Sequence, residues 1–370
     1  MISREKMITK ADDFPIHQRP TPIAEVGSSR NFYDRYFFNG YSKKGDIYFG
    51  AALCVYPNLN IMDASFTVAY EDIQHNVRGS RILNKERLDT KVGPIEVKVL
   101  EPLKTLEVIV EDKDMNISAR LIFEGYCEAL QEPQMYLYDG PRLTMDTCRM
   151  VQHGSWSGKI NINDKEVNFN SNDNVGTRDR SWGIRPVGAY DSQPSVPFQV
   201  PQFYWLWNPA HFEDFTTQFH FVDNEDGETV NELAMMQYKN KKKEEKFSNL
   251  SKKVKYKNKS RRVELLEINA QDSKGDNVNL SIKPKKRVFM CGLGYMHQEW
   301  GHGHFKGENE KTYDTYNLNE DPHDPPFLHI QSISDITLKR GNESFQGIGV
   351  LEELILGPHK TSGFKDLFDR

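Results

Sequence analysis

The chain has 370 residues, of which 37% are hydrophobic and 27% charged, and its formal net charge is −5. This composition is typical of a globular protein with room for one large domain or two ordinary ones. The negative net charge argues against a nucleic-acid binder, and no run approaches the roughly 20 apolar residues that a membrane-spanning helix needs.

The N-terminus and the cysteines indicate a cytoplasmic protein. The opening MISREKMITKADDFP carries charge but has no apolar stretch and no small-residue cleavage site, so it is not typical of a secretion signal. The four cysteines, Cys54, Cys127, Cys148 and Cys291, are widely spaced and form no C-x-x-C pair. This spacing fits unpaired thiols in a reducing compartment.

Strand patterns dominate the chain. Ile95–Val99, Leu106–Val110 and Ile117–Phe123 alternate apolar with polar residues and are separated by turn residues, which predicts an antiparallel meander with one solvated face. Helical periodicity is scarce and indicates only short pieces near Asn208–Asp214 and Phe364–Asp369. So many short strands predict an all-β barrel or sandwich architecture. Further strands are predicted at Tyr33–Phe38, Ile47–Val55, Ala64–Tyr70, Leu143–Gln152, Trp156–Ile162, Phe203–Trp207, Thr216–Val222, Arg262–Ala270, Val278–Pro284, Phe289–Gly294 and Phe345–Leu356.

A linker or long loop is predicted at Pro186–Pro201, which holds four prolines and several small polar residues. We therefore expect two domains, spanning residues 1–190 and 191–370.

Residues 239–262 form the one strongly basic patch. Val254 and Tyr256 alternate with lysines there, which favours a lysine-rich edge hairpin whose apolar residues face inward. The alternative is a transient contact with an anionic membrane surface or an acidic partner.

The segment RDRSWG at residues 178–183 is the first candidate site. On a strand, Arg178, Arg180 and Trp182 would share one face, and Asp179 and Ser181 the other. A desolvated Asp179 would have a raised pKa and could donate a proton, and an arginine beside a tryptophan could orient an anionic or carbonyl group. The alternative is an Arg–Asp ion pair that ties strands together, with Trp182 in the core.

The segment HQEWGHGH at residues 297–304 is the second. On a strand, His297 and Glu299 would lie on one face as an acid/base pair, with Trp300, His302 and His304 on the other. Paired histidines of this kind can begin a metal site, but no zinc-type spacing accompanies them, so we expect no metal and no other cofactor. The alternative is a set of hydrogen-bonded histidines in a glycine-rich turn.

Two aromatic runs complete the candidate residues. The run at 31–41 contains Tyr33 and Asp34, and the run at 203–207 contains Trp205 and Trp207. Such runs usually fill cores, but they could instead line a pocket for a flat hydrophobic ligand.

Five segments carry a family resemblance: Asn31–Tyr41, Met62–Phe66, Gly176–Pro186, Gly294–Gly303 and Gly347–Glu352. In them the chain resembles the hydroxyneurosporene-synthase-like proteins, distant relatives of the carotenoid 1,2-hydratases and the lipocalin-like Diels–Alderases. The resemblance spans nearly the whole chain and implies two lipocalin-like antiparallel β-barrels, or strongly curved sheets, in tandem.

The chain departs from the hydratases at their active-site motif. They carry an Asp-His-x-Trp-Gly stretch, which Asp179, Trp182 and Gly183 match, but Arg180 replaces the histidine and does not deliver a proton near neutral pH. The hydratases also have a Tyr-x-Asp downstream, whereas this chain reads WLWNP at 205–209. A proton donor would then be another residue, such as Asp34, Asp63, Asp179 or Glu299.

From these features we predict a lyase- or isomerase-type enzyme, hydratase- or cyclase-like, acting on a lipophilic isoprenoid or polycyclic substrate. The reaction would be an acid-assisted hydration, dehydration, isomerisation or cyclisation, with indole rings shielding a cationic intermediate. The alternatives are a non-catalytic carrier of a hydrophobic ligand and a scaffold in which both motifs brace the barrels. The candidate catalytic residues are Asp179, Glu299, His297 and Arg180, and the candidate substrate-binding residues are Trp182, Trp205, Trp207, Trp300, Tyr33, Asp34 and His302.

Overall fold

The computed structural model describes residues 8–17, 19–112, 114–115, 117–189 and 201–370. Regular structure in these residues is β-strand apart from short 3₁₀ turns, which confirms the all-β prediction. None of the described segments forms a helix with the length and apolarity needed to cross a bilayer. The strands are β1 (Phe32–Ser42), β2 (Ile47–Tyr56), β3 (Ile61–Tyr70), β4 (Ile73–Ile82), β5 (Lys91–Val92), β6 (Ile95–Glu101), β7 (Thr105–Asp112), β8 (Ile117–Gly125), β9 (Leu130–Asp139), β10 (Arg142–Ile162), β11 (Lys165–Phe169), β12 (Asn174–Ile184), β13 (Phe203–His211), β14 (Phe215–Asp223), β15 (Thr229–Tyr238), β16 (Glu244–Lys246), β17 (Ser248–Tyr256), β18 (Val263–Gln271), β19 (Asn277–Phe289), β20 (Glu310–Asn317), β21 (Ile330–Arg340) and β22 (Glu343–Leu356).

The first sheet is antiparallel and runs in the order β20-β4-β3-β2-β1-β12-β10-β8-β7-β6-β5, with β9 and β11 pairing along β10. Gly79 of β4 lies against Val92 of β5, so the sheet curls round and brings these two strands together. Its interior is filled by apolar and aromatic side chains that include Phe38, Phe49 and Trp156. We call this curled sheet the first barrel.

The second sheet has the order β16-β15-β14-β13-β22-β21-β19-β18-β17. Only Phe247 separates β16 from β17, which are its two outermost strands, so this sheet also closes nearly on itself. Val254 and Tyr256 pack against its interior, as the alternation in the basic patch predicts. We call it the second barrel.

Strand β20 crosses from one half of the chain to the other. It follows β19 of the second barrel, yet it pairs with β4 of the first, with Thr312 opposite Arg78. The predicted division between residues 190 and 191 lies outside the described residues, as does most of the predicted Pro186–Pro201 linker.

A mixed layer of aromatic and polar side chains fills the space between the two barrels, and we call it the inter-barrel layer. Strand alternation sorts residues into it: on β1, Tyr36 and Phe38 pack with the first-barrel interior, whereas Tyr41 points the other way. In the layer, Tyr41 packs in one apolar cluster with residues such as Trp205 and Trp207 of β13. A polar side chain at such a position is desolvated by both barrels.

Three local expectations are wrong. The predicted helix at Asn208–Asp214 is instead the end of β13, where the Asn208 side chain donates to Val350 O at 2.7 Å across a gap in the pairing with β22 beside Pro209. The predicted helix at Phe364–Asp369 is a series of bends. The strand predicted at Phe289–Gly294 ends at Phe289, because the chain then enters a 3₁₀ turn that ends at Gly294 with φ of 91°.

Candidate functional site

Asp179 lies on β12 and points into the inter-barrel layer. Its side chain is buried, and Arg35 Nη2 of β1 lies 3.9 Å from Asp179 Oδ1. Burial raises the pKa of Asp179 to about 7, against the opposing effect of Arg35. Asp179 Oδ1 has no hydrogen-bond partner. The carboxyl group is therefore a proton donor near neutral pH with a free oxygen.

Arg35 lies on the neighbouring strand β1 and is the ion-pair partner of Asp179. Its Nε and Nη1 groups are buried without a hydrogen-bond partner. The guanidinium lies 5.0 Å from the ring centre of Tyr295 and 5.5 Å from that of Phe37. Buried polar groups are nearly always paired, so unpartnered donors beside an unpartnered acceptor mark a place where a polar ligand or water binds.

Glu352 of β22 faces this pair from the second barrel. Its carboxylate accepts hydrogen bonds from His329 Nε2 (2.9 Å), Trp205 Nε1 (3.1 Å) and Gln331 Nε2 (2.5 Å). Burial would raise its pKa, but the interactions with His329 and Gln331 hold that pKa below its ordinary value. The layer thus keeps Glu352 ionised and leaves Asp179 partly protonated near neutral pH, an arrangement that separates the roles of two carboxyl groups.

Tyr295 joins this site to the second sequence motif. Its ring lies edge-on between the rings of His302 (4.4 Å between centroids) and His329 (4.5 Å). His302 Nδ1 lies 3.0 Å from Arg185 Nη2, and His302 Nε2 lies 2.8 Å from Leu293 O. These contacts assign the proton to Nε2, and burial keeps the pKa of His302 well below its ordinary value. His302 is therefore a neutral positioning residue.

Asp63 of β3 is a second carboxyl group with a raised pKa. Burial moves its pKa to about 7, although it accepts hydrogen bonds from Gly303 N (2.7 Å) and Tyr56 Oη (3.4 Å). Beside it, Trp300 and His302 line a void of about 10 Å³. A void of that size holds about one water molecule.

Trp205 and Trp207 lie in the layer, where carboxylates bind their indole N–H groups. Trp207 Nε1 donates to Glu132 Oε1 at 2.9 Å, and the guanidinium of Arg149 lies 4.4 Å from the Trp205 ring centre. Burial opposes ionisation of Glu132, but Arg149, 3.2 Å away, and further polar contacts lower its pKa to about 2. These indoles are hydrogen-bonded walls as well as apolar ones.

Arg180, Trp182 and Asp34 lie on the opposite face from Asp179. Their side chains point to the first-barrel side, because Arg180 pairs with Tyr36, and Trp182 with Asp34, across β12 and β1. Trp182 is 39% exposed. The faces follow the predicted alternation, and they separate these three residues from the predicted acid.

The predicted acid/base pair of His297 and Glu299 does not form. The chain makes turns rather than a strand here, since Gly294 and Gly303 adopt positive φ values of 91° and 77°. His297 Nδ1 accepts the backbone N–H groups of Glu299 and Trp300, and the Glu299 side chain is 76% exposed. The hydrogen-bonded glycine-rich turn that the sequence left open as an alternative describes this segment.

Sequence reasoning missed Arg35, Glu352, His329 and Tyr295 as site residues. Arg35 and Glu352 each interrupt an apolar or aromatic strand segment that belongs to the family resemblance, and a charged residue in such a segment is a usable signal. Within the described ranges, no three His, Cys, Asp or Glu side chains come together as a metal-binding group. Tyr33 enters the site indirectly, with the Arg185 guanidinium 4.4 Å above its ring.

Comparison with known proteins places the chain as follows. A family model described as "Family of unknown function (DUF8625)" matches residues 8–365, and a search of curated protein sequences gives no match. Three solved structures are similar at 11% identity: an AttH candidate from Nitrosomonas europaea (TM-score 0.53, covering 89% of this chain and 95% of that one), kievitone hydratase from Nectria haematococca (0.52, 87% and 88%) and CghA (0.52, 89% and 89%). These likenesses support the expected fold family and show the fold alone.

Proposed function

The chain belongs to the family of unknown function DUF8625, and from this premise we propose that it is an enzyme acting on a lipophilic, carbonyl-bearing substrate in the inter-barrel layer. The reaction class is an acid-assisted hydration, dehydration, isomerisation or cyclisation. The observation that carries the proposal is the pair of Asp179 and Arg35, in which a buried acid and a buried guanidinium both have unpartnered polar atoms.

Asp179 is the proton donor in this proposal. With a pKa of about 7 it holds a proton at near-neutral pH and still gives it up readily, which is the condition for efficient general acid catalysis. Glu352, which His329 helps to keep ionised, is the proton acceptor. It serves as the base that takes a proton from water or from carbon.

Arg35 favours a developing negative charge on oxygen. A guanidinium in a site closed to water stabilises an oxyanion or enolate strongly and destabilises a carbocation by the same electrostatics. The layer holds Arg149 and Arg185 as well. We therefore replace the cationic intermediate expected from the sequence with an enolate-like one, and the substrate with a conjugated carbonyl compound.

One of the similar structures supports the reaction class, and another supports the binding of an organic ligand. One is named as a hydratase, and CghA has also been solved with a bound organic molecule, Sch210972. Both share the two-barrel fold over nearly the whole chain. A protein named as a hydratase therefore has a similar fold, while the residue roles proposed for this chain rest on the geometry above.

The test is turnover by the intact protein. The protein is incubated with a lipophilic extract of its source cells, and products are followed by mass spectrometry. We expect a product that has gained water, lost water or been isomerised. Asp179→Asn should reduce the rate of its formation at least 100-fold. The matched control is Glu299→Gln, which changes an exposed carboxylate from the second motif and should retain full turnover.

The carrier alternative gives a different result. A carrier would retain an extract component unchanged in both the natural protein and Asp179→Asn. Equal product formation by Asp179→Asn and the natural protein would overturn the proposed role of Asp179.

A further inference from the structure

The opposite face of β12 carries a second cluster of charged residues. Arg178 and Arg180 alternate with Asp179, and they point to the first-barrel side because they pair with Phe38 and Tyr36 of β1. Phe38 belongs to the apolar interior of the first barrel. The two guanidiniums therefore lie beside the apolar interior, at one end of the first barrel.

Arg178 is buried without a full set of partners. It is only 4% exposed, and its Nε donates to Gln152 Oε1 at 2.8 Å, but its Nη2 has no hydrogen-bond partner. In the part of the chain that the structure describes, no carboxylate lies within ion-pair distance of it. Burying an arginine in this way is costly unless a further group accepts from it.

The neighbouring charges do not neutralise this arginine. Arg180 Nη2 donates to Asp34 Oδ1 at 2.5 Å, and Arg87 Nη2 lies 3.4 Å from Asp34 Oδ2. Two guanidiniums therefore share the Asp34 carboxylate, and Arg178 contacts neither of its oxygens. Asp146 lies farther out on the same face and accepts from Gln134 at 2.7 Å. The end of the barrel carries excess positive charge, with one buried donor unused.

Apolar and aromatic surface surrounds these charges. The Arg180 guanidinium lies 3.8 Å from the Tyr36 ring centre, and Trp182 pairs with Cys148 beside it. Farther along the same face, Tyr136 is 52% exposed and Tyr138 62% exposed. Exposed aromatic side chains next to an unused cation match a ligand that has an apolar body and an anionic end.

We propose that this end of the first barrel binds an amphipathic anion, a hydrophobic carboxylate. The carboxylate lies between Arg178 and Arg180, and the apolar chain lies over Trp182 toward Tyr136 and Tyr138. This site is on the other face of β12 from Asp179, so it is separate from the proposed catalytic site. Its occupant neutralises the buried guanidinium that the protein leaves unpaired.

The experiment compares dodecanoate with dodecanol, which has the same chain and no charge, by calorimetry below their aggregation concentrations at pH 7.5. We expect dodecanoate to bind at least 10-fold more tightly. Arg180→Gln should weaken dodecanoate at least 10-fold, and raising the salt concentration should weaken it further. Trp182→Phe should keep the binding while removing a change in tryptophan fluorescence.

Two controls fix the location. Arg120→Gln removes an exposed arginine from another strand of the same barrel, and Asp179→Asn changes the other face of β12; both should leave dodecanoate binding unchanged. Arg180 is partly exposed, so its substitution leaves the fold intact more readily than that of Arg178. Equal binding of dodecanol, or unchanged binding in Arg180→Gln, would overturn the proposal. Loss of turnover in Asp179→Asn with dodecanoate binding retained would separate this site from the catalytic one.

Discussion

At the residue scale, neighbouring side chains on β12 have opposite surroundings. Asp179 is desolvated by two barrels and has a raised pKa, whereas Arg180, the next residue, contacts Asp34 and Tyr36 near solvent. The alternation itself was predictable from the sequence, because period-2 patterning places odd and even residues on different faces. The partners were not, because Arg35 and Glu352 come from strands whose registers no local pattern specifies.

The pKa of Asp179 predicts how stability depends on pH. Its pKa is about 7 in the folded protein and 3.8 ordinarily, so the folded state binds the proton more strongly and stability falls as pH rises from about 4 to 7. Asp179→Asn removes this loss. In urea unfolding, the free energy of unfolding of Asp179→Asn relative to that of the natural protein should increase by roughly 2–3 kcal/mol between pH 5 and pH 8. A gap that stays constant over this range would contradict the assignment.

Replacing Glu132 should destabilise the protein, whereas Asp179→Asn should stabilise it at high pH. It is fully buried with Arg149 at 3.2 Å and Trp207 at 2.9 Å, so Glu132→Gln leaves a buried guanidinium without its counter-charge. The free energy of unfolding should fall by about 3–5 kcal/mol. Glu166→Gln, at an exposed pair with Lys159, is the control and should change stability by less than about 1 kcal/mol. Similar effects of the two substitutions would show that the layer is hydrated.

At the element scale, β4 shows why some strands escape sequence analysis. Its residues Gln74, Asn76 and Arg78 are polar, yet all three are buried, because β20 and the 3₁₀ turn at 290–293 cover them. Gln74 and Asn76 find their partners there, for example at Phe289 O and Asp314. A polar face that is buried by a distant segment reads locally as solvent-exposed, so no strand was predicted at Ile73–Ile82.

The contact between Arg78 and Asp314 should hold β20 in place. Arg78 is 2% exposed and donates to Asp314 Oδ2 at 2.9 Å and to Tyr316 Oη at 2.9 Å. Asp314→Asn removes the counter-charge of a buried cation and should destabilise the protein by about 2–4 kcal/mol. Hydrogen exchange should rise along β20 and β4 while the second barrel keeps its protection. A uniform rise in exchange would show that β20 does not open separately.

At the scale of the whole molecule, the fold class was accessible from the sequence and the partition of the chain was not. Alternating segments and scarce helical periodicity predict an all-β protein with curved antiparallel sheets, which the structure confirms. The return of β20 to the first sheet is a pairing over more than 200 residues, and nothing in its own short sequence specifies that partner. The division into residues 1–190 and 191–370 remains a proposal.

This crossing gives a prediction for fragments. A fragment of residues 8–189 lacks β20 and should leave β4 as an open edge with Arg78 unpaired, so we expect poor chemical-shift dispersion and aggregation. Adding a peptide of residues 305–320 should restore dispersion and cooperative unfolding. A fragment that unfolds cooperatively without the peptide would show that the first barrel is complete without β20.

The crossing also bears on how the protein is made. During synthesis the N-terminal half leaves the ribosome long before residue 317. The first barrel therefore receives β20, its last strand to be made, only after most of the second barrel has been translated. Until then the nascent chain holds an unfinished sheet whose exposed backbone could pair with a neighbouring polypeptide. Production of this protein should accordingly depend on holdase chaperones and on translation speed through the region that encodes the second barrel.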